Sequence, residues 1–278
     1  MSLPSLLPGP AVIGQPLFHA YLREILGKRT FGRVLNVGAG TASRQYAYAE
    51  RLNNAEYHTL EISPATGPTY VGDVRSMPQV PSEHYDWVLA IAVLEHVSDM
   101  HAAVEEITRV LKPGGYVYLS IPLHNEIHFG DDFNDYWRVT PFGMHELLDA
   151  RYGIVDVEYW GESLIDPVSI SVIARKGAAP SKGTTYFYRV EGGLETIDRF
   201  IDGSAPFMWS LPVYRMKLDG IEYIRQVRAW RAQYFTQTGA SLTNKDADHV
   251  LFAQGSVLEG HLTVTNDGAE YRTAAPAP

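Results

Sequence analysis

Apolar positions in this chain switch repeatedly between the twofold spacing of strands and the 3.6-fold spacing of helices. Leu17, Tyr21, Leu22, Ile25 and Leu26 form one stripe over 16–26 and predict a helix. Strand-like runs then predict strands at 34–37, 57–62, 70–72, 86–92 and 116–121. Between the last two, Ala103, Ile107, Val110 and Leu111 recur at helical spacing after Ser98 or Asp99, either of which can cap a helix N-terminus. Lys112-Pro113-Gly114-Gly115 stops that helix. Two more strand-like runs, 154–160 and 168–174, are close enough to pair antiparallel at a sheet edge. Alternation of this kind predicts an α/β fold, a doubly wound, mostly parallel sheet of seven strands with helices on both faces.

The pattern changes near Lys176, which sets the expected boundary between a core at 1–176 and an extension at 177–278. Residues 177–184 are small and polar, as in a linker. Beyond them, 193–202 and 213–236 read as helices, so the extension is expected to be mainly helical and to act as a lid or a dimer contact. Tyr223, Val227, Trp230 and Tyr234 form its apolar stripe, the expected contact of a homodimer, while Arg225, Arg228 and Arg231 lie on another face as a solvated row. Asn266-Asp267-Gly268 is a hairpin-type turn signal between short alternating runs.

The 278-residue chain is 45% hydrophobic and 20% charged, as expected of a globular protein with a sizeable core. A net charge of −9 disfavours a broad phosphate-binding surface, so no nucleic-acid partner is expected. With no cysteine, thiolate metal sites, disulfides and cysteine nucleophiles are excluded. No basic region leads an apolar run at the start and no apolar run is long enough for a bilayer, so a cytoplasmic location without membrane partners is expected.

The candidate chemistry begins where the first strand breaks into Asn36-Val37-Gly38-Ala39-Gly40. Glycines at 38 and 40 permit positive φ and close approach of backbone to a ligand. Glu61 lies 21 residues after Gly40 at the tip of the second strand, where a carboxylate can accept hydrogen bonds from ribose hydroxyls. Asp73, just past the third strand, can accept the exocyclic amine of an adenine. The combination points to a cofactor containing adenosine. Ser43 stands where a dinucleotide fingerprint has its third glycine, which disfavours a nicotinamide enzyme.

In their order and spacing, the glycine turn, Glu61, Gly72-Asp73-Val74, the run 85–97 and the run 110–120 resemble the class I S-adenosylmethionine-dependent methyltransferase family over roughly 31–174. The resemblance implies a Rossmann-like core, S-adenosyl-L-methionine as cofactor, and a small-molecule substrate. By position, Gly38 and Gly40 would pass under the amino-acid end of the cofactor and Glu61 would bind both ribose hydroxyls. Asp73 would hold the adenine amine, Val74 would flank the ring, and Ala90 would offer a carbonyl near the sulfonium. Position 36, often acidic in the family, is Asn36 here, which keeps hydrogen-bonding capacity but loses a charge.

The loop after the fifth strand, 123–141, borders the expected ligand end of the sheet and is rich in His, Asp and aromatic residues. Its segment 135–141 is similar to one in methyltransferases of cell-surface sugar and polyketide pathways. A hydroxyl acceptor benefits from a base near neutral pH, for which His128 is the first candidate, His124 the second and His96 the third, with Asp131 or Asp135 as orienting partners. His124, His128, Asp131, Asp132 and Asp135 include metal-ligand types, but nothing fixes a coordination geometry and no metal is expected. Phe129, Phe133, Tyr136, Trp137 and Phe142 suit stacking on a sugar or aromatic ring. The expected activity is methyl transfer to a hydroxyl of a sugar, polyketide or other natural-product intermediate. Methylation of protein or RNA, or a non-catalytic cofactor-binding scaffold, are the alternatives.

Overall fold

In the computed structural model the described residues are 32–40, 52, 55–124, 127–130, 133–189, 208–265 and 268–274. The helices expected at 16–26 and 193–202, together with Asp131 and Asp132, lie outside them. The chain divides into two compact units, 29–157 with 169–183, and 158–168 with 184–278. Among the described residues the chain therefore passes between the units three times, after 157, 168 and 183, where a single cut near 176 was expected.

The first unit is built on strands β1 (Arg33–Val37), β2 (Glu56–Glu61), β3 (Tyr70–Val71), β4 (Tyr85–Ile91), β5 (Leu111–Pro122), β6 (Tyr152–Gly161, as far as 157) and β7 (Ser169–Lys176). Their order is β6-β7-β5-β4-β1-β2-β3. Pairing is parallel from β3 to β5, and β7 runs antiparallel to β5. Central strands need apolar side chains on both faces. Accordingly Val34, Leu35, Val37, Val88, Leu89 and Ala90 are fully enclosed.

Helix α1 (Met100–Val110) precedes β5, and its cap is Asp99, whose carboxylate accepts from the Ala102 amide at 3.0 Å. It buries Ala103, Val104, Ile107 and Val110. Leu111 ends it in an extended conformation and already pairs with Tyr85, whereas Trp87 pairs with Tyr116. Residues 112–115 thus bulge out of the β4–β5 ladder, with Gly114 at φ 76°. A short helix α2 (Pro141–Leu148) follows the loop after β5.

The second unit has strands β8 (Lys182–Arg189, from 184), β9 (Met208–Met216), β10 (Ser256–Thr265) and β11 (Gly268–Thr273), each antiparallel to the next. Thr265 pairs with Gly268, in keeping with the expected hairpin, although Asn266 and Asp267 lie outside the described residues. Helices α3 (Gly220–Thr238) and α4 (Asn244–Gly255) are capped by Asp219 and by a Thr243–Asp246 capping box.

The mainly helical expectation is thus corrected to a mixed unit. The segment 182–189, partly read as linker, is a strand that buries Thr185, Tyr186, Phe187 and Tyr188. Residues 213–216, read as helix, are strand, because Asp219 supplies the cap that starts the helix behind them. The dimer stripe is corrected as well: Tyr223 and Val227 are buried in the core of their own unit, where the Tyr223 hydroxyl donates to the Asp248 carbonyl at 2.7 Å. Within the arginine row, Arg225 faces Glu222 at 3.5 Å and Arg231 donates to Asn244 at 2.6 Å.

Candidate active site

The carboxyl ends of β1, β2 and β4 open onto a cavity of about 410 Å³ in the first unit. At its floor the chain turns out of β1 through Gly38 (φ 63°) and Gly40 (φ 74°). A Cβ on Gly38 would lie 2.4 Å from a Val93 methyl, so only glycine lets the two loops approach. Glu61 ends β2 beside this turn and accepts from the Gly40 amide. Burial raises the Glu61 carboxyl above its ordinary pKa, and the Gly40 and Ile62 amides oppose that rise.

Across the cavity, Asp73 accepts from the Arg75 amide at 2.8 Å and from its guanidinium at 2.7 Å. That guanidinium holds the Asp73 carboxyl below its usual range, and it also donates to Ser98 at 2.7 Å. Val74 lines the same wall, almost fully covered.

Two expected positions lie elsewhere. Ala90 is buried inside β4, paired with Val37 and Leu119, and it is Ala92 that reaches the cavity. Ala92 holds φ 52°, uncommon for a residue with a side chain, while its amide donates to the Ser120 carbonyl at 2.9 Å. Asn36 is buried in β1 and donates to the Tyr57 hydroxyl at 2.8 Å, outside the cavity lining.

The loop after β5 is fastened over the turn that follows β4. The amides of Tyr136 and Trp137 donate to the Glu95 carbonyl at 2.7 and 3.3 Å, and the Trp137 indole donates to the Val97 carbonyl at 2.8 Å. Phe133, Asn134 and Tyr136 thereby join the cavity lining. His96 lines it too, its Nδ1 2.8 Å from the Asn134 carbonyl. A carbonyl only accepts, so Nδ1 carries the hydrogen and Nε2 keeps its lone pair. Burial lowers the His96 pKa, which favours that neutral ring.

His128 stands edge to face with His96, ring centroids 4.8 Å apart. Its backbone amide donates to Asp135 at 3.0 Å, and its Nδ1 lies 3.2 Å from the same carboxylate oxygen. Arg138 clamps Asp135 with bonds of 2.5 and 2.7 Å and holds that nearly inaccessible carboxyl well below the usual carboxylate range. His124, by contrast, is exposed just beyond β5 and is not among the lining residues. Under the histidine pair lies Glu95, fully buried, whose carboxyl is pushed up to about 8 by burial.

Ala92, Glu95, Asn134 and Arg138 were not singled out in the sequence. Positive φ at an alanine has no sequence signature. Glu95 had one, a carboxylate directly after the apolar run 87–94.

A parallel sheet with a glycine turn after β1, an acid at the tip of β2 and a cavity over the strand ends defines a nucleotide-cofactor domain of the doubly wound class. Residues 35–119 match the family model described as a methyltransferase domain. A curated ubiquinone biosynthesis O-methyltransferase from Leptothrix cholodnii is 26% identical over 149 residues, covering 47% of this chain and 63% of that protein. The counterpart from Alkalilimnicola ehrlichii is 29% identical over 118 residues, 38% of this chain and 47% of that one. The chain thus spans less than two thirds of the length of these relatives. A solved 1,6-didemethyltoxoflavin-N1-methyltransferase from Burkholderia thailandensis superposes with a TM-score of 0.46 at 18% identity, over 61% of this chain and 79% of that one. Over 35–119 this chain is thus similar to methyltransferases.

Proposed function

We propose that the chain transfers a methyl group to a hydroxyl of a small, ring-bearing molecule. The observation that carries this reading is the His96–His128 pair beside the cofactor cavity, bordered by the exposed side chains of Phe129, Phe133, Tyr136 and Trp137. S-adenosylmethionine, when bound, supplies an electrophilic methyl on a cationic sulfur. In this reading Gly38 and Gly40 pass under its amino-acid end, Glu61 accepts from the ribose hydroxyls, Asp73 receives the adenine amine and Val74 flanks the ring. Ala92 takes the part expected of Ala90, and Asn36 acts from behind by bracing Tyr57.

The acceptor oxygen forms its bond to the methyl carbon as the carbon–sulfur bond breaks, and the hydroxyl proton must leave. His128 is the first group to take it, because its Nδ1 lies 3.2 Å from the Asp135 carboxylate, which can hold the ring in place; His96 is next, and His124 is the most remote candidate. Aromatic side chains hold the ring and exclude water. The names of the curated relatives support oxygen as the acceptor atom, and the 135–141 segment supports sugar or polyketide chemistry. A nucleic-acid substrate is disfavoured by the net charge of −9, and cytoplasmic residence belongs to the same proposal. No described helix is long and apolar enough to cross a membrane.

Mass spectrometry after incubation with S-adenosylmethionine and a panel of hydroxylated ring compounds tests this reading. A methyl ether formed together with S-adenosylhomocysteine is expected, with turnover at least ~100-fold lower in His128→Ala. Methylation confined to nitrogen or carbon, or kcat in His128→Ala within about twofold of wild type, would contradict it.

A further inference from the structure

We propose that Glu95, His96 and His128 form a binding site for one divalent transition-metal ion of the Zn²⁺ or Mn²⁺ type. Their ligand atoms lie within 4.8 Å of one another. The decisive group is Glu95. Its side chain is fully buried, and neither carboxylate oxygen has a hydrogen-bond partner among the described residues. Burying an unsatisfied carboxylate is costly, and such groups in folded proteins are paired or bind metal.

The two imidazoles are already set as ligands. The Nδ1 of His96 faces the Asn134 carbonyl, so its Nε2 keeps the lone pair, and the His128 ring is held beside the Asp135 carboxylate, its Nδ1 3.2 Å away. Anchoring the far nitrogen on a carbonyl or carboxylate is the usual second layer of a metal-bound histidine, and Asp135 is itself fixed by Arg138. His96 Nε2 is 3.9 Å from a Glu95 oxygen, so closure onto a common ion needs only modest side-chain rotation. Two nitrogens and one oxygen suit Zn²⁺, Mn²⁺ or Fe²⁺ and not the all-oxygen preference of Ca²⁺ or Mg²⁺.

Only the role of the ion rests on the methyl-transfer reading. Next to the cofactor cavity, a cation would bind the acceptor hydroxyl and lower its pKa, releasing the proton to solvent. The imidazoles would then serve as ligands in place of a free base.

Chelator-treated full-length protein, titrated with Co²⁺ by visible absorption and with Zn²⁺, Mn²⁺ and Ca²⁺ by calorimetry, decides the matter. One equivalent of Co²⁺, Zn²⁺ or Mn²⁺ should bind, with affinity at least tenfold weaker in Glu95→Gln and His128→Ala and ~10–100-fold weaker in Asp135→Asn. Circular dichroism and S-adenosylhomocysteine binding report whether each variant is folded. Absence of one-to-one binding in wild type overturns the site, as does binding unchanged in folded Glu95→Gln and His128→Ala. Metal binding without S-adenosylhomocysteine binding would keep this inference and overturn the methyltransferase reading, and the reverse result would do the opposite.

Discussion

Gly38 leaves no room for a side chain. A Cβ there would sit 2.4 Å from a Val93 methyl while φ stays at 63°, so clash and backbone strain act together. Gly38→Ala should destabilise the first unit by about 1–3 kcal/mol and abolish measurable cofactor binding, read by chemical denaturation and calorimetry. Retained affinity would mean that the turn does not approach the cofactor. At this scale the sequence was informative wherever geometry constrains residue type. Gly38, Gly40, Glu61, Asp73 and Val74, all singled out in the sequence, line one cavity. Ala92 was not singled out, since its positive φ has no signature in the sequence. The convergence of Glu95 with His128 depends on a loop folding back 33 residues later, which no local spacing encodes.

Helix α1 fixes the segment that follows Asp73. Glu106 accepts from the Met77 amide at 2.6 Å and pairs with Arg109, which also donates to the Met77 and Val80 carbonyls at 2.7 and 2.9 Å. Arg109 lowers the Glu106 pKa in the folded state. A carboxyl with a depressed folded pKa contributes stability above its unfolded pKa, and that contribution is lost as pH falls through the folded value. Glu106→Gln should therefore cost about 1–2 kcal/mol at pH 7, with the difference from wild type shrinking below about pH 4.5 in denaturation curves. A pH-independent difference would contradict the ion pair. Removing the cap with Asp99→Ala should cost about 1 kcal/mol by the same measurement, and no change would show the helix start to be set otherwise. The parallel strands were legible because burial on both faces makes their central positions mostly apolar, as in Trp87-Val88-Leu89-Ala90-Ile91. Residues 213–216 were misread because an aromatic antiparallel strand overlaps in composition with an amphipathic helix stripe, and 182–184 because Lys182-Gly183-Thr184 is as small and polar as a linker.

At the scale of the molecule, the chain holds a cofactor-binding unit and a second mixed α/β unit. The dimer contact expected from the stripe on α3 loses Tyr223 and Val227 to the interior of that unit, leaving Trp230 and Tyr234, which pack on each other at 5.6 Å. A Trp230→Ala, Tyr234→Ala double variant should sediment with the mass of wild type, and a halved mass would restore the stripe as an interface. The central claim is cofactor recognition by Glu61 and the glycine turn. Calorimetric titration with S-adenosylhomocysteine tests it most directly. One site per chain is predicted, weakened ~10–150-fold by Glu61→Ala through loss of hydrogen bonds to a charged group, with no response to NAD. Absence of binding at millimolar S-adenosylhomocysteine, or equal affinity in wild type and Glu61→Ala, would contradict the account.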